Sequence, residues 1–223
     1  MKEETKKWLS AFLAGFLATV LGIVLTFGVQ GLINSCKRTR TAKLLAKQVV
    51  EKMDRTCEEL QEYLDIYDSL DSTYLCLLLA QRADTLERVD SGVVGSFLIN
   101  SLAEYVQSDI GYGLDSYTSE ILNTIGNVEL VGHIDQFYNI TRQCAKVSQQ
   151  VIDQKRIVSD RVYSHFFESK EPVTEWDFVR YIFEIPEFNV FYTRLQKVRP
   201  PLKEGKGLMI EELEECKKIL RME

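Results

Sequence analysis

The sequence predicts an all-α protein: one N-terminal transmembrane helix followed by a cytosolic multi-helix bundle with long helices. Three observations carry this. Trp8 to Cys36 contains no Asp, Glu, Lys or Arg and is rich in Leu, Val, Ile and Phe, longer than the roughly 20 apolar residues that span a bilayer. No proline occurs from Ile33 to Glu171, so nothing there forces a helix to stop. Beyond the apolar stretch, hydrophobic residues recur at threes and fours between charged ones, the period of a helix with one buried face.

The elements follow in order. Residues 1–7 form a short flank and 8–35 the membrane helix, because a backbone in lipid must satisfy its own hydrogen bonds. Residues 36–43 are a basic juxtamembrane segment. Lys37, Arg38, Arg40, Lys43 and Lys47 follow the span, against Lys2, Lys6 and Lys7 before it. The larger basic group stays inside, which places the C-terminal domain in the cytosol and the chain in the plasma (inner) membrane, single-pass. Lys37, Arg38, Arg40 and Lys43 are also the expected contacts to anionic lipid headgroups. A lipoprotein cleavage site at Leu32-Ile33-Asn34-Ser35-Cys36 is the competing reading, and it would place the body on the other side of the membrane.

Within the span, Ser10, Ala14, Ala18, Gly22 and Thr26 recur at every fourth position and Gly15 widens their strip. Small residues on one helix face let a second helix approach closely, so this strip is the expected self-association face and the protein an expected homo-oligomer.

The helical bundle occupies 44–202. Its first helix is expected over Thr39–Leu70, with Leu45, Val49, Met53, Leu60, Leu64 and Tyr67 inward, and as a direct continuation of the membrane helix. A second, capped by Asp71 or Ser72, would carry the run Tyr74-Leu75-Cys76-Leu77-Leu78-Leu79-Ala80 buried nearly all round. Asp90 or Ser91 would cap a third running to about Gln107, with Val94, Phe97, Leu98, Leu102 and Tyr105 inward. Ser108–Asp115 reads as a loop around Gly111 and Gly113, followed by a short helix from Ser116 to Ile125 that Gly126 ends. Asn127 then caps the longest helix, about Val128–Glu168, with the seam Leu130, Ile134, Phe137, Thr141, Cys144, Ser148, Val151, Lys155, Val158, Val162 and Phe166. Thr174 with Asp177 forms a capping pair for a further helix. Pro186 interrupts it, and Pro200-Pro201 is expected to stop the next. Residues 203–223 form a final amphipathic helix.

Tyr163 to Tyr192 holds ten of the chain's aromatic residues. Aromatics this dense are either core or a docking surface for an unidentified protein partner, the latter represented by Trp176, Phe178, Tyr181, Phe188 and Phe191.

Chemistry is sparsely represented. The five cysteines, Cys36, Cys57, Cys76, Cys144 and Cys216, are odd in number and widely spaced, as reduced thiols packed in a core would be. The two histidines, His133 and His165, would stand about 48 Å apart along one helix and so share no metal. Neither a phosphate-binding glycine loop nor a nucleophile elbow is present. Tyr112, Asp115 and His133 are the best candidates for a hidden site. Residues 37–223 carry 24 basic and 31 acidic side chains, a balance that repels nucleic acid. The expectation is therefore a non-enzymatic protein without cofactor, metal or nucleic-acid partner. It would act as a scaffold or interaction module that self-associates through its span and long helices. The alternative is a stress or phage-defence effector whose assembled spans perturb the bilayer.

The segment Phe16-Leu17-Ala18-Thr19-Val20-Leu21-Gly22-Ile23-Val24-Leu25-Thr26-Phe27, with its basic stop and long following helix, resembles short bacterial single-pass proteins of the Bacteroidetes type. Many of those carry an acidic residue entering the span and a Trp near its exit. This chain has neither, and Gly15 stands where the acid would be sought. The resemblance implies an N-terminal span and a helical cytosolic body.

Overall fold

The computed structural model describes the backbone of residues 2–102, 122, 124–167 and 173–222, and the side chains over 37–102, 122, 124–167 and 173–221. All regular structure among these residues is helical: α1 (Lys2–Arg82), a 3-10 turn (Leu86–Arg88), α2 (Ser91–Leu102), α3 (Val128–Phe167), α4 (Glu175–Glu184) and α5 (Pro186–Met222).

α1 is one unbroken helix of 81 residues. The expected direct continuation from the apolar stretch into the body is present. The expected break at Asp71 or Ser72 is not. A cap there would require the preceding backbone to leave the helix, but Ser72 and Thr73 donate their hydroxyls back to the Ser69 carbonyl at 2.9 Å, a bond that keeps such residues inside a helix. The helix ends about three turns further on, at Arg82. Asp84 takes the left-handed conformation (φ 56°), with Thr85 N–H donating to Ala80 O and Asp84 N–H to Gln81 O, the paired closing bonds of a Schellman turn. Nor is the run Tyr74–Ala80 buried all round. Leu77 is fully buried, whereas Leu75 and Leu79 are 50% and 65% exposed.

α1 from Ala46 onward, α3 and α5 form the body. α5 runs antiparallel to both others: it brings Lys217 to Asp54 and Lys203 to Asp68 of α1, and Glu212 to His133 of α3. Their shared core is apolar and continuous, with Val49, Met53, Leu60, Leu130, Ile134, Phe137, Leu195, Leu202 and Met209 all fully buried. The seam read from α3 is buried as expected, polar members Thr141 and Ser148 included, apart from Lys155 and Phe166, which are half-buried. Thr141 returns its hydroxyl to Phe137 O at 2.9 Å, so it brings no unmet donor into the core.

α2 and α4 close the end of the bundle remote from Lys37. Asp90 caps α2 by accepting Gly92 N–H at 2.8 Å. Ser159 of α3 donates to Leu102 O at 2.5 Å, which ties α2 to α3. Thr174 and Asp177 form the expected reciprocal capping box at α4. Asn127 Oδ1 accepts Leu130 N–H at 3.0 Å and so caps α3, just after Gly126 turns the chain with φ +72°. The loop expected at Ser108–Asp115, and Tyr105, Tyr112 and Asp115 with it, lie outside the described residues.

Pro200-Pro201 does not stop α5, which continues through both and through Gly205 and Gly207 to Met222. An interior proline costs a helix about 3 kcal/mol, yet both prolines are on the exposed side while Leu195, Val198 and Leu202 are buried around them. Exposure lets water solvate the carbonyls left without donors, and core packing holds the helix across the break in its hydrogen bonding. The C-terminal stretch from 203 is thus the second half of a bundle helix, with Met209, Leu213, Cys216 and Ile219 in the core.

No helix among the residues searched is long and apolar enough to cross a membrane. The stretch Trp8–Cys36 belongs to α1, and its side chains are outside those described.

Candidate functional site

Ser10, Ala14, Gly15, Ala18, Gly22 and Thr26 all fall within α1; their side chains are outside the described set. The basic cluster is described in full. Lys37, Arg38, Arg40 and Lys43 are exposed on α1. Two of them, Arg38 and Lys43, line a cleft of about 640 Å³ between α1 and the start of α3, where Thr39, Ala42 and Asn127 also contribute.

The aromatic segment divides. Phe188 and Phe191 are each 1% exposed. Phe188 stands 5.7 Å from the Phe97 ring and 5.6 Å from Tyr74, so both belong to the core closed by α2 and offer no surface for docking. Trp176, Phe178 and Tyr181 are half-buried against that core. Tyr181 stacks face to face on His165 at 3.9 Å, and Phe166 packs on Phe178 at 4.3 Å. Of the five proposed docking residues, these three on α4 keep a share of outward surface.

Sequence reasoning missed a polar cluster among the described residues that joins α1 to α5. Asp71 accepts hydrogen bonds from Tyr192, from Gln196 at 2.7 Å and from Arg199 at 3.2 Å. Arg199 also pairs with Asp68, which in turn meets Lys203 at 3.4 Å. Partial burial pushes the Asp71 carboxyl upward, but the bonds from Tyr192, Arg199 and Gln196 outweigh it and hold the group below the ordinary carboxylate range. The Tyr192 hydroxyl is driven up, by desolvation first and by the adjacent Asp71 carboxylate second. The signal was present as Asp68 and Asp71 on one helix face and Tyr192, Gln196, Arg199 and Lys203 at helical spacing. Without the α1–α5 pairing, Asp71 reads only as a helix cap.

Along the same seam Lys206 donates to Gln61, and Lys217 to Asp54 at 3.1 Å. On the opposite contact His133 Nδ1 lies 2.6 Å from Glu212 Oε2, a pairing between α3 and α5 rather than with its helix neighbour Asp135. Every one of these groups is spoken for by another helix. The thiols of Cys57, Cys144 and Cys216 are buried, which pushes them to about 11, 11 and 12 and disfavours the thiolate. Among the described residues no group of His, Cys, Asp and Glu is arranged to hold a metal ion.

Comparison with protein-family models, with curated proteins and with solved structures finds no match.

Proposed function

We propose that the protein is a membrane-anchored, non-enzymatic helical scaffold that self-associates through its span and long helices, with its bundle in the cytosol. The observation that carries this reading is α1: a single helix runs from Lys2 to Arg82, so the uncharged stretch Trp8–Cys36 and the wall of the bundle are one rod. An apolar stretch of that length needs lipid or protein around it. The strip Ser10, Ala14, Gly15, Ala18, Gly22, Thr26 offers a close-approach face for a second copy. The polar clusters support the same reading, because their charged groups are engaged in holding helices together rather than converging on a cleft.

The test is the particle mass of the full-length protein in mild detergent, alongside Gly22→Leu. A defined oligomer that the substitution reduces to monomer supports the scaffold. A monomeric wild-type protein overturns self-association and directs the search to a different partner, for which Trp176, Phe178 and Tyr181 are the surfaces to mutate first. Release of a trapped dye from vesicles carrying the protein would instead favour the bilayer-perturbing effector.

A further inference from the structure

We infer that the pocket between α3 and α5 binds a small hydrophobic amine, its apolar body held between the two helices and its ammonium at the rim that carries Glu204. The inference goes beyond the scaffold reading and does not depend on the anchor.

The walls are two matching rows. Ile140, Cys144 and Val147 of α3 face Pro201, Gly205 and Leu208 of α5 across a volume of about 250 Å³. Each row steps by four and then by three, the spacing that keeps residues on one face of a helix. Gly205 makes the floor. A Cβ there would stand 2.5 Å from the Cys144 sulfur and 3.8 Å from Ile140 Cγ2, so the helices close at that level and the hollow lies outside it. Drug-sized sites run to about 300–1,000 Å³; this one calls for a smaller molecule, and its walls call for an apolar one.

The rim is rich in acceptors. Glu204 lines the pocket, is exposed, and makes no ion pair or hydrogen bond among the described residues. Gln143 stands across from it on α3 and offers an amide oxygen. Pro201 has no N–H, so the Lys197 carbonyl, four residues back on the same helix, has no helical donor. The lining contains neither Lys nor Arg, and the stretch 103–121 contains none. An ammonium carries three donors and no acceptor, which matches a carboxylate and two amide oxygens above an apolar hollow. A ligand with a carboxylate or phosphate head would meet like charge at Glu204.

Position selects a ligand that arrives from water. Lys203 pairs with Asp68, and Lys206 donates to Gln61, which sets this part of α5 beside α1 residues 61–68. At a rise of 1.5 Å per residue these lie about 38–48 Å along the helix from Cys36. A lipid seated around Trp8–Cys36 is out of reach.

The experiment titrates the full-length protein, in phosphatidylcholine nanodiscs, with n-hexylammonium. Hexanol and hexanoate serve as the same chain with a neutral and a negative head. The readout is amide exchange of residues 140–147 and 202–208. Hexylammonium should protect both segments, hexanol should protect them less, and hexanoate should have no effect. Glu204→Gln, at an exposed position that leaves the fold intact, should weaken hexylammonium by up to about fivefold and leave hexanol unchanged. Leu208→Trp, which covers the hollow from its rim, should abolish protection by both. Hexanol or hexanoate acting as well as hexylammonium, with Glu204→Gln without effect, overturns the amine as ligand. Protection that survives Leu208→Trp in a protein of unchanged urea midpoint overturns the site, as does a lack of protection by all three compounds.

Discussion

Cys144 on α3 faces Gly205 on α5 so closely that a Cβ at position 205 would stand 2.5 Å from the Cys144 sulfur. The two long helices touch here with a hydrogen atom as spacer. Gly205→Ala should gain about 1 kcal/mol in helix propensity and lose about 1–3 kcal/mol to overpacking, for a net loss seen as a lower urea midpoint. In a Cys144→Ala background the obstructing sulfur is gone, and Gly205→Ala should become stabilising. A cycle showing no coupling would mean the helices separate readily at this level.

Two residues on, a Cβ at Gly207 would meet nothing within 4 Å. Gly207→Ala should therefore raise stability by about 0.5–1 kcal/mol, since only the conformational freedom of the unfolded chain changes. Thermal unfolding of the full chain measures it. A loss of stability at 207 would show that α5 needs flexibility beside its prolines.

Asp71 links stability to pH. Its folded-state pKa lies below the unfolded value, so its contribution is complete above about pH 4 and is lost as pH falls through the folded pKa. Asp71→Asn should cost about 1 kcal/mol at neutral pH, given a partly exposed carboxylate with three donors. That difference from wild type should shrink on acidification. A pH-independent difference would assign the loss to packing instead.

Thiol reactivity should separate the cysteines sharply. Cys57, Cys144 and Cys216 are buried with raised pKa values, whereas Cys76 is exposed on α1. Among these four, iodoacetamide at pH about 8 should modify Cys76 in the native protein and the other three only after denaturation. Rapid native labelling of Cys144 would indicate that α3 and α5 open around Gly205.

Much of this architecture could be read from the residues alone, and the exceptions share a cause. The capping signals at Asp90, Asn127 and Thr174–Asp177 were legible because each is a local bond between a side chain and a nearby backbone N–H. The α3 seam was legible because its period is local too. Asp71 and Pro200-Pro201 were misread for the opposite reason. A free Asp prefers a helix start and a proline pair a helix end, but Asp71 is drawn to Tyr192 and Arg199, and the prolines lie on the wet side of a helix whose other side is core. Leu75 and Leu79 were expected inside because an apolar run was taken as burial on all faces; α1 buries one stripe only. The candidate site was half legible: the basic cluster is plain in the sequence, whereas its division into Arg38 and Lys43 at the cleft and Lys37 and Arg40 outside depends on where α3 begins.

The continuity of α1 also fixes an azimuth. Each residue in a helix advances the chain by about 100°, so the angular relation between the positions Ser10–Thr26 and the buried stripe from Ala46 onward is set by residue count alone. Inserting one residue between Ser35 and Lys43 would swing the bundle about a quarter turn around the rod relative to the N-terminal strip, while seven would return it to within about 20° of its starting phase. In an assembly joined at both levels, subunits could then close with inserts of seven but not with inserts of two, so the helix behaves as a keyed shaft whose register is written in its length.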